Sequence, residues 1–163
     1  MERLEGHVVL TGMTADQERL AVWREYLNSY ASVTRKLEQE LRCSHDLSLA
    51  QYDVLAHLHG VPCGRLRMGE LAGALLFSTG GLSLLLDRME RDGLVTRERT
   101  PDDRRGVYAV ITEAGCCRLR EASETHLRGI QNHFAAMLHD DEIEPVGDFL
   151  ARLRTQRSAC SGA

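Results

Sequence analysis

The sequence predicts an α+β fold that is mostly helix, and three observations predict it. Long stretches near both ends of the 163-residue chain carry apolar residues at helical spacing. Hydrophobic residues make up 43% of it, enough for a sizeable core, although only 5% is aromatic. Between Gly69 and Gly115 the order is a short helix, a turn, a second amphipathic helix, and a two-stranded ribbon closed by a basic tip. That order is a winged helix-turn-helix, with the N- and C-terminal helices left over for dimerisation.

Met1 to Gly12 has no clear period, and residues 1–13 read as a flexible arm. From Thr14, the apolar positions Leu20, Trp23, Leu27, Tyr30, Leu37 and Leu41 form the seam of one long amphipathic helix, with Thr14 and Gln17 as its capping box. A helix from about Thr14 to Leu41 is about 40 Å long at ~1.5 Å per residue, too long for this domain alone to bury. It calls for a partner. Ser48 can cap a second helix, with Leu49, Tyr52, Leu55 and Leu58 on one face, that ends before Gly60 and Pro62. Met68 to Leu75 forms the first helix of the motif and Ser78 to Arg91 the second, closed by Gly93.

Leu94 to Arg99 then run out, Pro101 to Gly106 turn, and Val107 to Ile111 return. Leu119, Ala122, Leu127, Ile130, Phe134 and Met137 give another long helical stripe. After an acidic turn come Val146, Phe149, Leu150 and Leu153, in a helix whose start is blurred by Pro145. The resulting division is residues 14–46 and 116–157 for dimerisation, 47–115 for the winged unit, and 158–163 as a flexible tail.

A formal charge of −4 argues against a general nucleic-acid coat. Arg88, Arg91, Arg97, Arg99, Arg104 and Arg105 are matched one for one by Asp87, Glu90, Asp92, Glu98, Asp102 and Asp103. Any basic face therefore depends on geometry, not on count. No run approaches the ~18 apolar residues of a membrane helix, and Met1 to Gly12 lacks the pattern of a signal peptide, so the expectation is a cytoplasmic protein with no membrane role. Cys43, Cys63, Cys116, Cys117 and Cys160 form no CxxC pair and are odd in number, which favours reduced thiols.

Within the second helix of the motif, Leu82, Leu85, Leu86 and Met89 have the spacing of a buried face. Thr79, Ser83, Leu84, Asp87 and Arg88 are left for the outside or the edges. Ser78 can satisfy a free backbone donor, and the helix start it opens suits a phosphate. Gly80 and Gly81 cost roughly 1 kcal/mol each inside a helix. They imply close approach to something bulky, either DNA or another helix packed through Leu71 or Leu75.

With LSLAQYDVL (Leu47 to Leu55) upstream, STGGLSLLLDRMER (Ser78 to Arg91) and the DDRR turn in the middle, and TEAG (Thr112 to Gly115) downstream, the chain strongly resembles the MarR family of winged-helix bacterial transcription regulators. The resemblance runs from roughly Leu20 to Leu153. It implies a homodimer on a pseudo-palindromic double-stranded DNA operator, a repressor relieved by a small aromatic or anionic effector, with no enzymatic activity and no cofactor. It places Ser78, Thr79, Gly80, Gly81, Ser83, Leu84 and Arg88 in the major groove. The wing would bring Arg105 to the minor groove, oriented by Asp103, with Arg104 reaching phosphate or bracing the ribbon. Arg97 and Arg99 would meet phosphates or pair with Glu98 or Asp102. Gly80, Gly81 and Leu84 depart from the hydrogen-bonding side chains that many relatives carry there, which shifts specificity toward DNA shape.

The resemblance also implies an effector pocket between the dimerisation helices and the winged unit. Trp23, Tyr26, Tyr30, Tyr52 and His57 lie on helices that would line it, although ordinary core or interface roles fit the same spacing. His57, His59 and Cys63, and separately His126 and His133, are too few to complete a zinc site, and His57 and His59 project about 200° apart on a regular helix. No metal is expected. Cys116 and Cys117 sit at a helix start, where the dipole lowers a thiol pKa. The family's peroxide-sensing branch carries its cysteine near the start of the first helix, and this chain has none before Cys43. The remaining alternatives are a winged-helix module that binds protein and a metal- or thiol-responsive regulator. No nucleophile motif or phosphate loop points to an enzyme.

Overall fold

The computed structural model describes residues 14–99 and 106–155. The first helix, α1 (Ala15–His45), opens on the Thr14/Gln17 capping box and outlasts the apolar seam by one turn. Asp46 ends it in the left-handed region at φ 48°, a conformation that aspartate tolerates because its short polar side chain bonds locally. Only the lower part of the seam is covered by the chain itself: Leu37 and Leu41 are buried, whereas Leu20, Trp23, Leu27 and Tyr30 stand exposed. Helix α2 (Leu49–His59) follows with the reciprocal Ser48/Gln51 box. Tyr52, Val54, Leu55 and Leu58 enter the core. A carboxylate oxygen of Glu38 on α1 accepts from the Leu49 N–H at 2.5 Å, so the long helix itself caps the next one.

The ribbon expected from sequence is instead a three-stranded antiparallel sheet. The added strand, β1 (Arg65–Arg67), pairs with β3 (Val107–Ile111), which pairs on its other side with β2 (Val95–Arg99), giving the order β1-β3-β2. Three residues between a turn and a helix leave no readable period, and only pairing of Leu66 with Ala109 across the chain makes them a strand. Helices α3 (Met68–Ala74) and α4 (Thr79–Arg91) are bent 105° apart, the geometry of a helix-turn-helix. Leu76 takes the turn at φ 56°.

Helix α5 (Glu113–His133) is capped by Thr112 and packs along α1. The stripe through Phe134 and Met137 is not one helix: the backbone leaves helical geometry at Phe134 and makes a short 3-10 turn over Ala135–Met137. Helix α6 (Ile143–Thr155) places Pro145 in its first turn, where no N–H is missed. None of its residues is buried. The core joins Leu41, Leu55, Leu58, Leu71, Leu82, Leu86, Met89, Val95 and Ala109, one or more from each layer.

Two glycines mark where layers touch most closely. A Cβ on Gly129 would press on Leu37 and Glu40 of α1. At Gly115 a Cβ would overlap the Leu94 carbonyl oxygen, which already accepts from the Thr112 N–H at 3.1 Å. Backbone cannot step aside as a side-chain tip can. Gly115→Ala should therefore lower stability by about 1–3 kcal/mol in a denaturant melt, and an unchanged midpoint would show that this junction is slack.

Candidate nucleic-acid interface

The α4 helix is built to be held from one side and read from the other. Leu82, Leu86 and Met89 are fully buried, Leu85 is half-buried, and Thr79, Gly80, Leu84, Asp87 and Arg88 are exposed. Ser78 caps the helix, its hydroxyl accepting from the Gly81 N–H at 3.1 Å. A Cβ at Gly80 would meet nothing within 4 Å, and one at Gly81 would meet only Ser78 and Phe77. Neither glycine serves helix packing against Leu71 or Leu75. Open space in front of Gly80 leaves the backbone approachable from outside.

Arg97 sits on β2 with its face turned to α4. Its guanidinium donates to Asp87 at 2.7 Å, to Glu90 at 3.0 Å and to the Ser83 carbonyl at 2.9 Å, while its backbone N–H donates to Glu90 at 3.1 Å. Of the two partners anticipated for it, Glu98 gives way to these acceptors on α4, and Asp102 lies outside the described residues. From sequence, Asp87 and Glu90 are charges that offset arginines, Asp87 also lying on the outer side or edge of its helix. They are the acceptors that lock helix to strand. Arg97 is 22% exposed, so little of its charge faces solvent.

Between α4 and the sheet lies a groove of about 640 Å³ lined by Met68, Thr79, Ser83, Arg97, Arg99 and Val107. Thr79 and Ser83 on the helix side thus line the same groove as Arg99 on the strand side. Asp103, Arg104 and Arg105 lie outside the described residues. On the sheet's other face, Arg65 and Arg67 of β1 each place a guanidinium 5.4 Å from the Tyr108 ring centroid. Sequence pattern alone does not single out this cationic pair. Its signal was the alternation Arg-Leu-Arg, which becomes meaningful only once the register sets Arg67 opposite Tyr108.

The MarR family pattern matches residues 45–106, the segment that contains α2 to β2 and most of this surface. AbsC, a MarR family transcriptional regulator from Streptomyces coelicolor, superposes with a TM-score of 0.78 at 32% identity, over 88% of this chain and 96% of that one. The chain belongs to the MarR family. It is a transcriptional regulator of the winged helix-turn-helix kind, not an enzyme. Sco3205, a second MarR family regulator from Streptomyces coelicolor, solved in complex with DNA, matches at TM-score 0.81 and 28% identity, over 93% of this chain and 94% of that one. YkoM, an HTH-type transcriptional regulator of Bacillus subtilis, is 26% identical over 132 residues, 80% of this chain and 82% of that protein.

In this MarR-family chain the five aromatic and histidine candidates for an effector pocket do not converge. Trp23 and Tyr26 stack on each other at 5.7 Å on the exposed part of α1. Tyr52 is buried against His126, 4.3 Å between rings, and its hydroxyl donates to Ser123 at 3.5 Å. His57 is exposed, with Nδ1 2.9 Å from the Asp53 carbonyl. Tyr30 alone of the five edges a cleft of about 530 Å³, where α1 and α2 meet Leu75 and Phe77 of the helix-turn-helix.

The cysteines and histidines are likewise dispersed. Cys43 and Cys63 are exposed, Cys116 and Cys117 half-buried, and all four are free thiols, while Cys160 lies outside the described residues. Arg120 donates to the Cys117 sulfur at 3.0 Å. His133 meets Glu40 at 2.7 Å, and no group of three or more metal-ligating side chains gathers among the described residues.

Asp53 and His126 form a half-buried pair behind the Tyr30 cleft. Burial raises the Asp53 carboxyl above its ordinary value, with His126 and His57 pulling it back, and burial lowers His126, with Asp53 pulling the other way. The buried Nδ1 of His126 has no hydrogen-bond partner among the described residues. A lowered histidine adds stability above its ordinary pKa near 6.5, which is lost as pH falls through the lowered value. A raised carboxyl does the opposite: its stabilisation is present below 3.8 and is lost as pH rises through the raised value. As pH falls from neutral, the histidine's contribution is lost from about 6.5 downward. His126→Phe, which keeps a ring on Tyr52, should flatten the fall in melting temperature between about pH 7 and pH 5. An equally steep fall in that variant would place the titrating group elsewhere.

Arg97→Ala should cost about 1–2 kcal/mol of stability, since its acceptors remain partly solvated. It should also weaken DNA binding while leaving the slope of log affinity against log salt as in the wild type. A slope smaller by about 0.9 would instead assign Arg97 to a phosphate.

Proposed function

We propose that this regulator binds double-stranded DNA as a homodimer on a pseudo-palindromic operator and represses transcription until a small molecule relieves it. The observation that carries the reading is the groove between α4 and the wing strands, where Thr79 and Ser83 line one wall and Arg99 the other, Arg97 holds the two together, and Leu84 and Arg88 stand exposed on the same helix. The DNA complex of Sco3205 supports duplex DNA as the ligand. Ser78, Gly80, Gly81 and Ser83 complete the groove-facing set, and Asp103, Arg104 and Arg105 would form the wing tip that enters the minor groove. A repressor acts where the chromosome is, in the cytoplasm.

Dimerisation rests on unpaired apolar surface. Leu20, Trp23, Leu27 and Tyr30 of α1 are 44–63% exposed, and Phe149, Leu150 and Leu153 of α6 are 38–46% exposed. Surfaces of this kind at both ends of a chain are what a two-fold interface would cover. In this reading residues 14–46 and 116–157 form the dimer layer and 47–115 the DNA-binding unit. A small aromatic or anionic effector in the Tyr30 cleft would touch α1, α2 and the turn before α4 together. A coupling of about 1–3 kcal/mol is enough to regulate.

Selection of bound fragments from genomic DNA with the purified protein tests the reading. One dimer should occupy a palindrome whose half-sites lie about 34 Å apart. Binding should weaken steeply with salt, and Arg105→Ala should reduce affinity strongly without altering the sedimentation of the dimer. No enriched site, with weak binding that Arg105→Ala preserves, would turn the assignment toward a protein-binding winged helix.

A further inference from the structure

The outward row of α4 is apolar at its centre. Gly80 and Leu84 lie one helical turn apart on the side opposite Leu82, Leu86 and Met89, and Leu84 is 65% exposed. Two of the polar groups beside Leu84 are already engaged. Asp87 and the Ser83 carbonyl are bound by Arg97, and the Arg91 Nε donates to the Asp87 carbonyl at 3.2 Å. With the Asp87 carboxylate paired to Arg97, Leu84 is the hydrocarbon that this part of the helix offers outward, with exposed Arg88 one turn beyond it. The space in front of Gly80 lets the helix backbone come close, so a side chain of leucine length reaches the floor of a groove.

Among the four unmodified bases, only thymine presents a methyl group in the major groove. We propose that Leu84 is a specificity-determining residue that selects operator sequence through the C5 methyl of a thymine, once in each half-site. The inference rests on the operator-binding reading and adds to it the base chemistry being read. A leucine can neither donate nor accept, so it discriminates by burying or failing to bury that methyl group. The contact is direct readout at one position, set within a surface otherwise poor in bidentate base contacts.

Deoxyuridine tests this, because it keeps the pairing of thymine and lacks only the methyl. The selected operator is prepared with each thymine replaced in turn, symmetrically in both half-sites, and titrated with wild-type protein and with Leu84→Ala. At one position the wild type should lose about fourfold per methyl, so roughly 15-fold for the symmetric pair. Leu84→Ala should bind that substituted operator no more weakly than the unsubstituted one. Its thermal melt should match the wild type, since the side chain is exposed.

A wild-type profile flat at every thymine, or an undiminished loss in Leu84→Ala, overturns the assignment while leaving operator binding intact. Failure of the wild type to prefer any operator over random duplex removes both readings together.

Discussion

The contact between Arg97 and α4 sets the geometry on which the reading surface depends. One guanidinium joins a β-strand to two carboxylates and one carbonyl spaced along a helix, so the helix can neither roll about its axis nor lift from the sheet without breaking charge-assisted bonds. Burial of Leu82, Leu86 and Met89 secures the helix from beneath, but apolar packing tolerates small rotations that a forked hydrogen-bonding group does not. The brace also alters the charge of the surface. Asp87 would otherwise repel phosphate beside Leu84, and its pairing with Arg97 removes that repulsion at the cost of a cation that might have met DNA.

The winged unit is coupled to the long helices by an equally specific set of bonds. Glu38 accepts from the Leu49 N–H, Arg118 of α5 donates to the His45 carbonyl at 2.6 Å, and His45 meets Thr125 at 2.8 Å. Close packing at Gly129 and the Glu40–His133 contact hold α1 to α5 higher up. The three helices therefore move as one body near their junction, whereas the upper part of α1 and all of α6 have no core of their own. Tyr30 and Glu38 of α1, Leu49 at the start of α2, and Leu75 and Phe77, which lead into α4, line one cleft. Asp53 lines the same cleft, and burial raises its carboxyl while His126 and His57 pull it back.

Much of this was legible in the residues because it is local. The Thr14/Gln17 capping box and the Ser48 cap need only a few consecutive residues, and both form as expected, Ser48 with Gln51 completing a second box. The core face of α4 follows from a period of 3.6, and the exposure of Leu20, Trp23, Leu27 and Tyr30 agrees with a helix too long for its own domain. Strand β1 was missed because a three-residue strand has no period of its own. The stripe from Leu119 to Met137 continues in pattern past the point where Phe134 leaves helical geometry, since apolar spacing does not register a backbone break. The effector candidates were chosen by residue type along α1 and α2, and their directions send Tyr52 inward, His57 outward, and only Tyr30 to the cleft.

The sequence by itself determined the order and kind of the main elements, the helix-turn-helix with its wing, and the family, because periodicity, caps and turn residues act over a few positions. Only the tertiary structure decided which charges are free to act. Arg97, Asp87 and Glu90 are up to ten residues apart, and nothing in their spacing distinguishes a solvated charge run from a brace. The docking of β2 on α4 brings them within hydrogen-bonding distance, and the same docking leaves Leu84 as the outward feature of the helix. Long-range approach sets the local chemistry here, since a charged group's role depends on what lies within about 3 Å of it.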